Sequence, residues 1–129
     1  MNADTKEWVR CAEADFAAAG LLMRSRRKGL ASTVCFHAQQ CVEKYLKARL
    51  EEDGLPVPKI HNLTNLLNLA LPLEPLWACF LTPFSQLEQY AVFVRYPGHT
   101  ATSQRARTAL KACQSFRKEA RLALGLAGK

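Results

Sequence analysis

Residues 30–53, LASTVCFHAQQCVEKYLKARLEED, decide the fold. Val34, Cys41, Tyr45 and Ala48 follow one another at steps of seven, four and three residues, which sets them along one side of an α-helix. Gly54, Pro56 and Pro58 stop that helix. Towards the N-terminus, Trp8, Ala12, Phe16, Ala19 and Met23 repeat the same spacing and predict a helix over about residues 5–26, with Asp4 and Glu7 as a capping-box start and Gly29 near its end. Towards the C-terminus, a proline-containing loop (54–61) leads to Asn62, which reads as the cap of a short helix over about 62–71 carrying Leu63, Leu66, Leu67 and Leu71. Thr82 and Pro83 read as N-cap and first residue of a helix over about 83–93, and a final helix spans about Ser103–Leu124. Ala91–Val94 has strand-like composition, but no other segment offers it a partner and a lone strand is unstable. The expected architecture is therefore all-α: an antiparallel, up-and-down helical bundle of four main helices plus one short helix, in a single domain over 1–129 with its core at about 5–124.

The balance of residues narrows the function. With 129 residues, 49% of them apolar and 22% charged, the chain suits one folded domain and excludes disordered and low-complexity classes. Its formal net charge of +7 favours an anionic partner. That charge is uneven. Residues 105–129 hold seven of the 18 bases and only one acid, Glu119, whereas the first 104 residues are nearly neutral. Inside that neutral part Arg24, Arg26, Arg27 and Lys28 cluster directly before Gly29; the ordinary reading of both clusters is a solvated face with cations favourably placed at helix C-termini. No stretch approaches the roughly 18 consecutive apolar residues of a membrane span, and MNADTKEWVR lacks the apolar run of a secretion signal, so no membrane association and a cytoplasmic location are expected. Five scattered cysteines (Cys11, Cys35, Cys41, Cys79, Cys113) without CxxC pairs read as reduced core residues, and no metal or cofactor is expected. GxGxxG, GxxxxGK[ST], GxSxG and HExxH are all absent from the sequence.

Two sets of residues carry chemistry. At 100° per residue, His37, Gln40, Lys44 and Lys47 fall within a stripe about 80° wide on the second helix, a strip of donors suited to phosphate or ribose oxygens. The ordinary alternative is an i,i+4 ion pair from Glu43 to Lys47 with Gln40 and Lys44 solvated. The second set is Arg95-Tyr96-Pro97-Gly98-His99, a permanent cation and a histidine either side of a turn. An arginine that stabilises phosphate charge and a histidine that moves a proton are the minimum for metal-free RNA cleavage; the ordinary alternative is an exposed histidine with Arg95 pairing to Glu88. His61, beside Asn62, reads as a structural residue of the cap region.

These residues resemble the HEPN family of small helical nucleotide- and RNA-associated domains. The resemblance spans about residues 5–124 and rests on Trp8 with Ala14-Asp15-Phe16, on Phe36-His37-Ala38-Gln39-Gln40-Cys41-Val42-Glu43-Lys44-Tyr45-Leu46-Lys47-Ala48, on His61-Asn62-Leu63 and on Arg95-Tyr96-Pro97. It implies an all-α homodimer, partnered by a minimal nucleotidyltransferase in a toxin–antitoxin-like module. Nucleotide or RNA phosphate is expected on Lys44, Lys47 and Arg95, with His37 and Gln40 as secondary contacts. Many members are metal-independent ribonucleases, and in that alternative Arg95 and His99 are the catalytic pair. Three residues separate Arg95 from His99, where those members have four to six, and no tyrosine stands two positions after the histidine. The chain thus looks like the non-cleaving branch marked by Gln-Gln, Glu-Lys and Arg-Tyr-Pro. A third alternative is a non-catalytic interaction module whose basic C-terminal helix meets an acidic protein surface.

Overall fold

The computed structural model describes residues 1–93, 97, 98 and 100–126, and among these every regular element is helical. The elements are α1 (Ala3–Ser25), α2 (Ala31–Glu52), α3 (Leu63–Ala70), α4 (Leu81–Phe93) and α5 (Ser103–Ala123), with a 3-10 helix, Pro75–Phe80, leading straight into α4. None of the described helices is long and apolar enough to cross a membrane.

Local chemistry explains where the helices begin. Asn62 caps α3 by accepting from the Asn65 N–H at 2.9 Å, as its side chain predicts. The Leu63 N–H is met from another helix, by Glu88 Oε2 at 3.2 Å. At α1 the expected Asp4–Glu7 capping box is replaced by Asn2, whose Oδ1 accepts from the Thr5 N–H at 2.7 Å. Asn2 has the advantage of tertiary partners: its amide donates to the Glu51 carbonyl (3.2 Å) and its N–H to Glu52 Oε1 (3.0 Å), joining the start of α1 to the end of α2. Thr82 is likewise not a cap, because α4 begins at Leu81. Pro83 costs nothing there, since N–H groups in a helix's first turn have no partner within the helix.

Contacts fix the directions of the helices. Early α1 meets late α2, so the two are antiparallel; α2 and α5 run the same way, with Ser32 beside Ala101 and Tyr45 beside Arg121. α4 opposes α5, setting Phe84 edge-on to Phe116 and placing the Tyr90 ring under Arg105. The central element is α2, which packs against all four other α-helices. The sequence shows only one apolar stripe there, yet Val34, Cys35, Ala38, Cys41, Val42, Tyr45, Leu46, Ala48 and Leu50 are all buried, the pattern of a helix enclosed on most sides. Beside it, Trp77, Phe80 and Phe84 surround Phe116 with ring centroids 4.9–5.1 Å away.

One carboxylate ties three helices. Glu13 of α1 accepts a bidentate pair from Arg117 of α5 (both 2.7 Å) and the hydroxyl hydrogen of Tyr45 of α2, which also accepts from Arg121 Nη1 at 3.1 Å. Burial opposes the Glu13 charge, but the hydrogen bonds from Arg117 and Tyr45 outweigh it and hold the carboxyl below its usual range. A depressed carboxylate adds stability above the unfolded-state pKa, and that stability is lost as pH falls through the folded value. All five cysteines are free. Cys35, Cys41 and Cys113 are core residues as expected; Cys79 is instead exposed, on the outer side of the 3-10 helix, and Cys11 is half-buried. Burial pushes the Cys35 thiol up to about 11, and a hydrogen bond with Cys113, followed by burial, pushes Cys41 up as well.

Candidate functional site

The donor strip of α2 faces α1, and α1 answers it with a carboxylate. Asp15, nearly buried, lies with Oδ1 2.8 Å from His37 Nδ1, while its Oδ2 accepts from Lys44 Nζ at 2.5 Å. His37 and Lys44 therefore share one partner. Lys47 does not join them. Its ammonium, 5% exposed, donates to Glu43 Oε2 at 3.1 Å and sits 5.5 Å from the centre of the Trp8 ring. The same Glu43 oxygen is 3.0 Å from Nδ1 of His61, whose ring is otherwise in solvent. Gln39 completes the group by donating to the His61 carbonyl (3.2 Å) and to Glu43 Oε1 (3.4 Å), leaving its own Oε1 buried without a partner among the described residues. Gln40 is half-buried. The Glu43–Lys47 pair of the ordinary reading is thus present, and both lysines spend their charge on internal carboxylates.

Arg95 and His99 lie outside the described residues, so no geometry is attached to them. The Ala101 N–H donates to Ser32 Oγ at 2.9 Å, and Thr102 caps α5 by accepting from the Arg105 N–H at 3.1 Å. The segment leaving His99 is therefore fastened to the first turn of α2. Glu88, the pairing partner expected for Arg95, is engaged with the Leu63 N–H.

At that junction the surface opens into a cleft of about 1050 Å³. Arg24 in the last turn of α1, with Arg26, Arg27 and Lys28 of the α1–α2 turn, lines one side and Arg107 of α5 lines the other, with Thr102 and Ser103 also in the wall. Among the described residues no carboxylate lines it and none of these five cations pairs with one. The turn is what gathers them. On a continuous helix Arg24, Arg26, Arg27 and Lys28 would spread around more than half the circumference. Here α1 ends at Ser25 and Arg26 takes φ 55°, a left-handed conformation that costs a side-chain-bearing residue about 1–2 kcal/mol. Gly29 follows at φ 86°, where glycine carries no such cost. The next helix, α2, starts with no side-chain cap and no acid in its first turn, leaving the positive end of its dipole uncompensated.

The sequence shows the basic cluster but not the cleft, because nothing in spacing says that Arg107, 79 residues after Lys28, docks opposite it. A second cavity of about 320 Å³, between α4 and α5, is mainly apolar, with Phe80, Leu87 and Tyr90 in its wall. Among the described residues no three His, Cys, Asp or Glu side chains gather as a metal site.

With this geometry in hand, comparison with known proteins gives one result: a family model described as HEPN domain matches residues 5–122. No curated protein and no solved structure matches the chain.

Proposed function

Because this chain belongs to the HEPN domain family, we propose that it binds the phosphates of a nucleotide or of RNA, and that they are met in the cleft at the α1–α2 turn. The observation that carries this reading is the charge of that cleft: five cations, no carboxylate and an uncapped helix start. Arg95 belongs to the same reading, since the residues that follow it, Ala101 and Thr102, form part of the cleft wall. His37, Gln40, Lys44 and Lys47 take a supporting role in it. Using Lys44 or Lys47 as a phosphate ligand would strip a nearly buried carboxylate of its partner, which is costly; Lys44 instead ties α2 to Asp15 of α1, and Lys47 pairs within α2 while lying against Trp8 of α1. The wider reading is a single-domain, up-and-down bundle of four main helices, cytoplasmic and homodimeric, working with a nucleotidyltransferase-type partner.

A catalytic reading draws on one further observation, the Ser32–Ala101 bond that fastens the residues after His99 beside the cleft. In that reading a ribose 2′-hydroxyl gives its proton to His99 and attacks phosphorus, Arg95 stabilises the pentacoordinate phosphorane, and the P–O5′ bond breaks to leave a 2′,3′-cyclic phosphate and a 5′-hydroxyl protonated from water, with no metal required.

Titration of fluorescently labelled nucleotide and RNA at two salt concentrations tests the binding reading. Saturable binding that weakens steeply with salt is expected, and no binding of either probe at low salt overturns it. Incubation with mixed RNA in EDTA tests cleavage. Products that disappear in both Arg95→Ala and His99→Ala support the catalytic pair, whereas intact RNA, or cleavage that survives both changes, removes it.

A further inference from the structure

The lining of the cleft says more than that it attracts anions. A site for a free nucleotide recognises the base as well as the phosphates, with an aromatic ring to stack on it or amide and carboxylate groups to meet its edges. Among the described residues that line this cleft there is none of these. Its walls are the five cations, aliphatic side chains such as Leu22, Val34 and Ala106, and the hydroxyl-bearing Thr102 and Ser103. A base placed here would meet guanidinium planes and hydroxyl groups, which stack on or bond to any base, so the described lining selects no particular one. Phosphates gain more, because each additional phosphate finds another cation.

The distribution of charge agrees. Three cations come from the turn, one from the last turn of α1 and a fifth from the helix opposite, around a space just above the roughly 300–1,000 Å³ range of small-molecule pockets. A strand presenting one charge per nucleotide can engage them in succession. Left-handed Arg26 supports the same conclusion, because a strained turn that brings four neighbouring cations to one cleft is maintained against a conformational cost. Nothing in the lining recognises a 2′-hydroxyl in particular, so RNA and DNA strands offer it the same chemistry.

We propose that the cleft formed by the α1–α2 turn and Arg107 holds a run of consecutive phosphodiesters of single-stranded nucleic acid, reading backbone charge and not bases. This rests on the phosphate-binding reading above and deepens it by excluding the lone nucleotide as the principal ligand. The α2 strip takes no direct part, and the turn is the strand-binding element.

Fluorescence anisotropy with labelled twelve-nucleotide oligo-U, oligo-A and oligo-dT, and with a labelled ATP analogue, separates the outcomes. All three oligomers should bind within about threefold of one another and at least tenfold more tightly than the nucleotide. For five phosphates on a single strand the affinity should fall about 100-fold between 50 and 200 mM salt. With Arg26→Ala, Arg27→Ala and Lys28→Ala combined, two cations remain and the same change should cost only about sevenfold. These three side chains are exposed, so circular dichroism should show an unchanged fold, and Lys118→Ala, which lies outside the cleft, should bind as the parent does. The proposal falls if the nucleotide binds as tightly as the oligomers, if the oligomers differ by more than tenfold, or if the triple variant keeps the full salt dependence. Binding of neither probe class would remove the phosphate reading itself, whereas tight nucleotide binding would leave that reading standing and overturn only this one.

Discussion

Glu43→Ala is expected to destabilise the fold by about 3–5 kcal/mol, because it leaves the Lys47 ammonium in a dry site without its counter-charge. Lys47 is 5% exposed and Glu43 4%, so water cannot replace the lost carboxylate without opening the α1–α2 seam. The Trp8 ring 5.5 Å away offers the cation only a fraction of what the carboxylate supplies. His61 and Gln39 lose a partner in the same step, which adds to the effect. Urea unfolding followed by circular dichroism measures it. Glu43→Gln combined with Lys47→Met should recover most of the loss, since it removes both charges while keeping side-chain volume. A cost under about 1 kcal/mol for the single change would show that the ammonium is hydrated and the pair superficial.

Phe116→Ala should be of similar size, about 3–5 kcal/mol, for an unrelated reason. The ring is fully buried and lies edge-on to Trp77, Phe80 and Phe84, so truncation opens a void in the one place where the 3-10 helix, α4 and α5 all meet. Rigid aromatic neighbours close such a void poorly. Phe116→Leu, which fills much of the space, should lose less than half as much. The same unfolding experiment reads both variants, and equal losses for alanine and leucine would mean that ring geometry, not volume, holds α5 in place.

The helices were legible in the sequence because their apolar residues recur with helical spacing and because glycine and proline mark their ends; each boundary lies within a few residues of its expected place. The misplaced starts have local causes. Asp4 satisfies a capping rule, but Asn2 satisfies it while also reaching Glu51 and Glu52, which no local rule detects. Thr82-Pro83 is a sound start signal that a preceding 3-10 helix made unnecessary. The family resemblance was legible too, and the family match over 5–122 bears it out. The site was less so. Helical angles correctly put His37 and Lys44 on one side of α2, but angles give a direction and not what lies there: Asp15, their common partner, is 22 and 29 residues away in the chain. The cleft depends in the same way on where α5 docks. Arg95 and His99, the most chemically suggestive pair in the sequence, lie outside the described residues.

The Glu13 hub has a consequence for how the protein tolerates change. Tyr45 and Arg117 both donate to the one carboxylate of Glu13, so the loss of either changes what the other contributes. The destabilisation of Tyr45→Phe plus Arg117→Ala should therefore fall short of the two single effects added together, by at least 0.5 kcal/mol in a double-mutant cycle of melting experiments, and strict additivity would dissolve the hub. With the hub gone, α1 and α2 would still be joined through Asp15 and Asn2, whereas α5 would keep the Ser32–Ala101 bond at its start and lose this polar anchor near its end.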